Sequence, residues 1–210
     1  MNETNIDKSH NSDYRKISYD IAYMKMALAM SELSYAIRHK VGAIIVSKDG
    51  QVISQGYNGT PAGFDNCCED VHCSCDFRSF NDDEVCCFYD EYSRPVEQVA
   101  SVSHCLNLVK ENFGTCKYMS LVTKPEVLHA ESNAITKCAK WTSTTEGATL
   151  YVTLSPCMEC SKLIVQSGIN RVVFLERYHT TSGIEVLNKA GIVVEQIDID
   201  NHSINRISHE

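Results

Sequence analysis

No apolar run in the 210-residue sequence reaches the roughly 18 residues that a membrane-spanning helix requires, so no membrane partner is expected. There is no Gly-x-Gly-x-x-Gly and no phosphate-loop motif, which argues against a dinucleotide or ATP enzyme. Basic residues are scarce: 19 Lys and Arg stand against 27 Asp and Glu, a formal net charge of −8. Proteins that hold polynucleotides release counterions by presenting a basic face, and the sequence has no such stripe. A polynucleotide is therefore not expected as the main substrate, whereas a small anionic ligand needs only a few local donors. Met1 to Lys16 is polar and carries acids, so it reads as neither a secretory signal nor a basic transit peptide. The expected location is cytoplasmic.

Cysteine is the exception to this scarcity, with eleven residues. A reducing compartment argues against a disulfide framework, and an odd count sits badly with complete pairing. Metal ligation is the reading for cysteines at ligand spacing, and buried, inert thiols for the others.

Periodicity organises the chain. Tyr19 to Tyr35 reads as an amphipathic helix, preceded by a flexible polar segment over residues 1–18. Val41 to Ser47 and Gln51 to Gln55 are β-prone runs around Lys48-Asp49-Gly50, where Asp-Gly marks a hairpin. Gly56-Tyr57-Asn58-Gly59-Thr60-Pro61 breaks the pattern as a loop. Over residues 62–125 periodicity is lost while Cys, Asp and Glu accumulate. A stretch of this length without clear elements is unusual in a compact domain and reads as an insertion, metal-stabilised or partly helical. Order resumes with a helix at Ala130 to Lys140, a strand at Thr149 to Leu154 and a helix from Cys157 to Ser167. A strand at Arg171 to Glu176, a helix at Gly183 to Ala190 and a strand at Ile192 to Ile197 follow. The tail over 199–210 is polar and reads as loose. This order predicts one domain over residues 19–198, a three-layer α/β/α sandwich on a five-stranded mixed sheet. Its opening hairpin is antiparallel and its later crossovers are right-handed.

The chemistry concentrates in His129-Ala130-Glu131 and Pro156-Cys157-Met158-Glu159-Cys160, each opening a predicted helix. Pro156 suits a first helical turn, where a missing N–H costs little. Cys157 and Cys160, three apart, project from one face. Two thiolates and one imidazole supply Zn2+ with three protein ligands and leave a fourth position for water, the open geometry of a catalytic site. The cation lowers the pKa of water towards 7, and helix N-termini favour thiolate over thiol. Glu131, two residues past His129, faces the water without ligating and shuttles a proton. A bare Cys-x-x-Cys also suits a redox pair or half of a structural zinc site. Both motifs in this order favour catalysis, since His-x-Glu followed by Pro-Cys-x-x-Cys is the known signature of zinc deaminases.

The sequence resembles the cytidine and deoxycytidylate deaminase superfamily across about Tyr19 to Ile197, the insertion excluded. Within it the deoxycytidylate (dCMP) branch matches best. The matching residues are Lys40-Val41-Gly42-Ala43-Ile44-Ile45-Val46, Gly56-Tyr57-Asn58-Gly59-Thr60-Pro61 and His129-Ala130-Glu131-Ser132-Asn133-Ala134-Ile135. Tyr151-Val152-Thr153-Leu154-Ser155-Pro156-Cys157 and Cys160-Ser161-Lys162-Leu163-Ile164 continue the match. The resemblance implies a cytidine deaminase-like fold and hydrolytic deamination of dCMP to dUMP. It also implies that Asn58 bonds the sugar, that the Ala130 N–H meets the base carbonyl and that the Ser155 carbonyl receives the amino group. Asn58-Gly59 is equally a good turn dipeptide, and Ser155 a candidate helix cap. Arg38 and Lys40, before the first strand, are candidate phosphate donors or an ordinary solvated pair. Tyr178 either walls the pocket or covers its edge.

Within the insertion Cys67, Cys68, His72, Cys73 and Cys75 form a ligand-type cluster, followed by Cys86-Cys87 and His104-Cys105. Some family members carry a second, structural Zn2+ in this part of the chain, and Cys67 and Cys73 are its candidates here. Many are homo-oligomers, hexamers among them, activated by dCTP and inhibited by dTTP with Mg2+ accompanying the triphosphate, and the resemblance extends these expectations to this chain. The rival readings are a polynucleotide deaminase acting on tRNA or single-stranded DNA, and a non-catalytic zinc or nucleotide-sensing module on the same fold.

Overall fold

The structure is a computed structural model that describes residues 6–73, 119–141 and 143–208. These fall into two compact units: residues 6–34, 40–59 and 128–208, and residues 35–39, 60–73 and 119–127.

In the first unit the helix α1 (Ile6–Ser31) precedes the hairpin β1 (Gly42–Val46) and β2 (Val52–Tyr57). After the second unit's strands, named below, come α2 (Ala130–Lys140), β5 (Thr149–Leu154), α3 (Met158–Gln166), β6 (Arg171–Glu176), α4 (Ser182–Lys189), β7 (Val193–Asp198) and β8 (Ser203–Arg206). The sheet order is β2-β1-β5-β6-β7-β8. β1 runs antiparallel to β2 and β5, β5-β6-β7 are parallel, and β8 is antiparallel to β7.

Alternation along the strands explains the layers, because successive side chains leave a strand on opposite faces. Ala43 and Ile45, Leu150 and Val152, and Val172 and Phe174 join Ala130, Ala134, Ile164, Ile184 and Leu187 of the three later helices in one core. Ile44, Val46, Tyr151 and Val173 turn the other way and meet Ile21, Met24 and Ala27 of α1. A strand covered on both faces reads as a continuous apolar run, and every residue of β1, Gly-Ala-Ile-Ile-Val, is buried. The expected three-layer α/β/α sandwich on a mixed sheet is present.

The sheet has six strands rather than the five expected, and the sixth comes from the tail read as loose. The Asp198 carboxylate accepts the N–H groups of Asp200 at 3.1 Å and Asn201 at 3.0 Å, and His202 takes φ 48°. This Asx-type turn brings Ile204 opposite Ile197, where it packs on the α1 side of the core. Ser-Ile-Asn-Arg has too little apolar content to announce a strand. Over residues 6–18 the expected flexible lead-in is replaced by helix, because α1 begins at Ile6 and ends at Ser31. Residues 6–18 contain no proline or glycine to stop a helix, and tertiary burial further along the same helix outweighs their polar character.

A buried ionic cluster ties α1 to the sheet. Asp20, 2 % exposed, receives Arg171 Nη1 at 2.7 Å and Nη2 at 2.8 Å and the Tyr151 hydroxyl at 2.6 Å. Arg171 also donates to Glu195 at 2.7 Å. Burial and the Asp20 carboxylate push the Tyr151 phenol up, and the Asp20 and Glu195 carboxylates raise Arg171 despite its burial.

The second unit contains the antiparallel pair β3 (Glu69–Cys73) and β4 (Met119–Thr123). Glu69 is buried and its carboxylate accepts the N–H groups of Ile37 at 3.1 Å and Arg38 at 3.3 Å. Ala36, Cys68 and Val127 form a small apolar cluster.

Candidate metal centre and active site

Two helix N-termini of the first unit build the centre. His129 is the N-cap of α2, with φ −75° and ψ 157°, and Cys157 is the N-cap of α3, with φ −74° and ψ 171°. Neither side chain makes a capping hydrogen bond, so the imidazole and the thiol are turned towards each other instead. Cys160 follows one turn into α3 on the same face. His129 Nδ1 lies 3.5 Å from Cys157 Sγ and 3.4 Å from Cys160 Sγ, and the three donor atoms lie within 4.8 Å of one another. Zinc–nitrogen and zinc–sulfur bonds of about 2.0–2.3 Å in a tetrahedron require donors roughly 3.3–3.8 Å apart. The two measured separations fall in that window. Among the described residues this is the His/Cys/Asp/Glu group with metal-ligand spacing.

Each donor of the cup shifts the protonation of its neighbours. The Cys160 thiol and the His129 ring hold Cys157 as a thiolate, pulled down to about 3. Cys160, beside that thiolate and buried, is pushed far above the ordinary thiol range, and the Cys157 contact lifts His129. A cation that binds the cup displaces the protons its donors hold. Cys160 is buried, Cys157 half-buried and His129 exposed at the rim, which leaves an open side for a small ligand. Glu131 is only 4 % exposed. Burial raises its carboxyl above the ordinary carboxylate range, while its own backbone N–H and the Cys160 thiol donate to it. A carboxyl raised in this way holds a proton at a pH where a solvated one is already ionised, which suits a group that takes up and returns a proton.

A family model of the cytidine and deoxycytidylate deaminase zinc-binding region matches residues 17–176. The chain belongs to this family. It is 35% identical over 197 residues to the deoxycytidylate deaminase of Enterobacteria phage T4, covering 89% of this chain and 93% of that protein. It is 31% identical to the human deoxycytidylate deaminase over 195 residues, 87% of this chain and 85% of that protein. Among solved structures, the dCMP deaminase of cyanophage S-TIM5 in complex with dCMP and dUMP is 36% identical, with a TM-score of 0.57. That match spans 84% of this chain and 94% of the cyanophage chain.

The other residues expected at the site of this family member take the following places. Asn58 is half-buried at the end of β2. Its Oδ1 accepts the Val41 N–H at 2.8 Å, and its backbone carbonyl accepts the Ser34 hydroxyl at 2.8 Å. Reciprocal backbone bonds between Gly59 and Leu128, at 3.0 and 2.9 Å, hold this loop beside His129. Ala130 is fully buried as the first residue of α2, where a backbone N–H has no intrahelical partner. Ser155 does not cap α3. Its hydroxyl accepts the Tyr178 N–H at 2.8 Å, and its own N–H donates to the Glu176 carbonyl at 2.8 Å. Tyr178 is half-buried, with its ring centroid 4.0 Å from that of His179. Lys40 is exposed just before β1. Arg38 belongs to the second unit, where its Nη1 donates to Thr123 Oγ1 at 3.3 Å.

Of the cysteine cluster, Cys67 is half-buried with its thiol donating to the Glu69 carbonyl at 3.3 Å, and Cys68 is buried. His72 and Cys73 belong to β3, but their side chains, and Cys75, Cys86, Cys87, His104, Cys105 and Cys116, lie outside the described residues. Two supporting residues had no role assigned from the sequence. Asn133 Nδ2 donates to the Tyr57 carbonyl at 2.8 Å, and the buried Ser54 hydroxyl donates to the Ala134 carbonyl at 2.7 Å. Both hold α2 on β2, and polar residues on a helix face or alternating strand read only as solvent-facing.

Proposed function

We propose that the enzyme hydrolyses dCMP to dUMP, with water adding at the ring carbon and ammonia leaving. The observation that carries the reading is the His129–Cys157–Cys160 cup with the buried Glu131 carboxyl at its wall. The naming of its relatives as deoxycytidylate deaminases supports the substrate. His129, Cys157 and Cys160 would hold a zinc ion, which would supply a Lewis acid able to bring the pKa of water near 7. Glu131 takes a proton from the attacking water and delivers it to the departing amine, so it acts in turn as base and acid. The Ala130 N–H donates to the base carbonyl, and the Ser155 carbonyl accepts from the leaving amino group. Asn58 orients the sugar, Lys40 donates to the phosphate, and Tyr178, whose N–H is bonded to Ser155, closes one wall. A steady fall in absorbance of dCMP with release of one ammonia per dUMP is expected. A zinc-loaded, folded preparation inert towards dCMP but active on tRNA or single-stranded DNA overturns the substrate assignment.

The same reading includes a second, structural zinc in the insertion with Cys67 and Cys73 among its ligands, and a homo-oligomeric assembly in the cytoplasm. Purified protein should hold about two zinc ions per chain, and Cys157→Ser should remove one and leave the other. A count of one in folded wild type ends the second-site proposal. Control by dCTP as activator and dTTP as inhibitor, each with Mg2+, requires a triphosphate to bind the active arrangement better than the inactive one. A coupling of about 1–3 kcal/mol changes apparent dCMP affinity roughly 5–150-fold. A sigmoidal dCMP saturation curve that dCTP and Mg2+ make hyperbolic is the expected result. Curves unmoved by either triphosphate remove the regulatory part and leave the catalytic one.

A further inference from the structure

Two glycines stand directly behind the two ligand-bearing turns. At Gly56, in β2, an added Cβ would lie 2.2 Å from the Ala130 carbonyl oxygen and 2.6 Å from the Ala134 nitrogen. At Gly183, the second residue of α4, it would lie 2.0 Å from the Pro156 carbonyl oxygen and 2.9 Å from the Cys157 carbonyl carbon. Real Cβ atoms essentially never approach within 3.0 Å of another heavy atom. All four targets are backbone atoms, so neither overlap can be relieved by swinging a flexible side chain away.

Conformation does not explain these glycines, since neither takes a positive φ. Local propensity argues against both, because glycine weakens a helix and a strand interior alike. Close approach is what remains. Behind α2 the approach is fixed on both sides of Gly56 by the Ser54–Ala134 and Asn133–Tyr57 hydrogen bonds. Behind α3, helix α4 rests on the peptide that carries Cys157, one residue after Ser155 and its bond to Tyr178.

We propose that Gly56 and Gly183 are positioning residues of the metal centre: the missing side chains let β2 and α4 set the His129 and Cys157 turns at ligand spacing. A methyl group at either position overlaps backbone by roughly 1 Å, whereas metal–ligand distances tolerate about 0.2 Å. The displaced turn therefore takes its ligand out of bonding range before the fold itself is lost. This inference rests on the zinc-holding reading of the cup but not on the identity of the substrate.

The test compares zinc-loaded wild type with Gly183→Ala, Gly56→Ala and the control Gly191→Ala. Gly191 has φ 78° with nothing within 4 Å of an added Cβ, so its alanine variant strains the chain without touching the cup. Zinc affinity is read by chelator competition, ligand geometry by the visible bands of the cobalt-substituted protein, and fold by thermal melting. Gly183→Ala and Gly56→Ala should each weaken zinc about 10–100-fold, the range seen when groups supporting metal ligands are removed, and alter the cobalt bands. Gly191→Ala should lower the melting temperature and leave both metal readings unchanged. Variants that fold and hold zinc like wild type overturn the proposal, and so does failure of both cup variants to fold, which would make the glycines determinants of folding. Wild type without tight zinc would sink the metal-centre reading itself.

Discussion

Glu131→Gln should keep zinc and fold and lose about a thousand-fold in turnover of dCMP, within the 10²–10⁴ range of acid–base catalysis. The replacement keeps the shape of the side chain and removes only its capacity to carry a proton. Glu131 is not among the three donors of the cup, so metal content should not change. The pH profile provides a second check. Burial raises the Glu131 pKa, so the folded state holds its proton more tightly than the unfolded chain does. As base towards water the group must be ionised, and wild-type kcat/KM should rise with pH through that raised pKa. The Gln variant should lose this limb. The stability effect has the opposite sign, because ionising a carboxyl whose folded pKa is raised costs folding free energy as pH rises. Zinc-free Glu131→Gln should thus be at least as stable as zinc-free wild type at neutral pH. Loss of zinc from the variant, or near-normal turnover, contradicts the assignment of Glu131 to proton transfer.

Asp20→Ala should lower stability by about 3–5 kcal/mol, the cost of breaking a buried ion pair from one side. The side chains of Asp20 and Arg171 are 3 % and 15 % exposed, so water does not substitute for the lost carboxylate. Arg171 keeps Glu195 as a partner at 2.6 Å, but the Tyr151 hydroxyl loses its acceptor. For a chain of this size, roughly 2–4 °C per kcal/mol converts the loss into about 6–20 °C in melting temperature. Activity below the transition should be nearly unchanged, since α1 lies on the sheet face opposite α2 and α3. A drop of less than about 1 kcal/mol in denaturant melts would show that Asp20 contributes no more than an exposed pair. A selective loss of turnover at full stability would place Asp20 in the catalytic machinery instead.

The cup was the most legible part of the molecule. His129, Cys157 and Cys160 are the residue types zinc accepts, at spacings that put them on the first turns of helices, and ligand chemistry leaves few substitutes. Glu131 was legible for the same reason. Its burial was not, because burial depends on what the rest of the fold places over it. The alternation in β1 and β5 announced the sandwich, since period-2 burial is a local property of the backbone. β8 escaped notice because its apolar anchor, Ile204, acquires meaning only opposite Ile197. The first half of α1 escaped because polar residues next to an amphipathic helix carry no sign of whether they extend it.

Amino-acid order by itself determined the His-Cys-Cys donor set, the layers and the family resemblance, all of which rest on residue type at short spacing. Tertiary structure alone decided the Asp20–Arg171–Tyr151 lock, the bond from Tyr178 to Ser155 and the close approaches at Gly56 and Gly183. Each joins residues far apart in the chain, and in the sequence a glycine, a serine or an aspartate looks the same whether or not a distant backbone comes to rest against it.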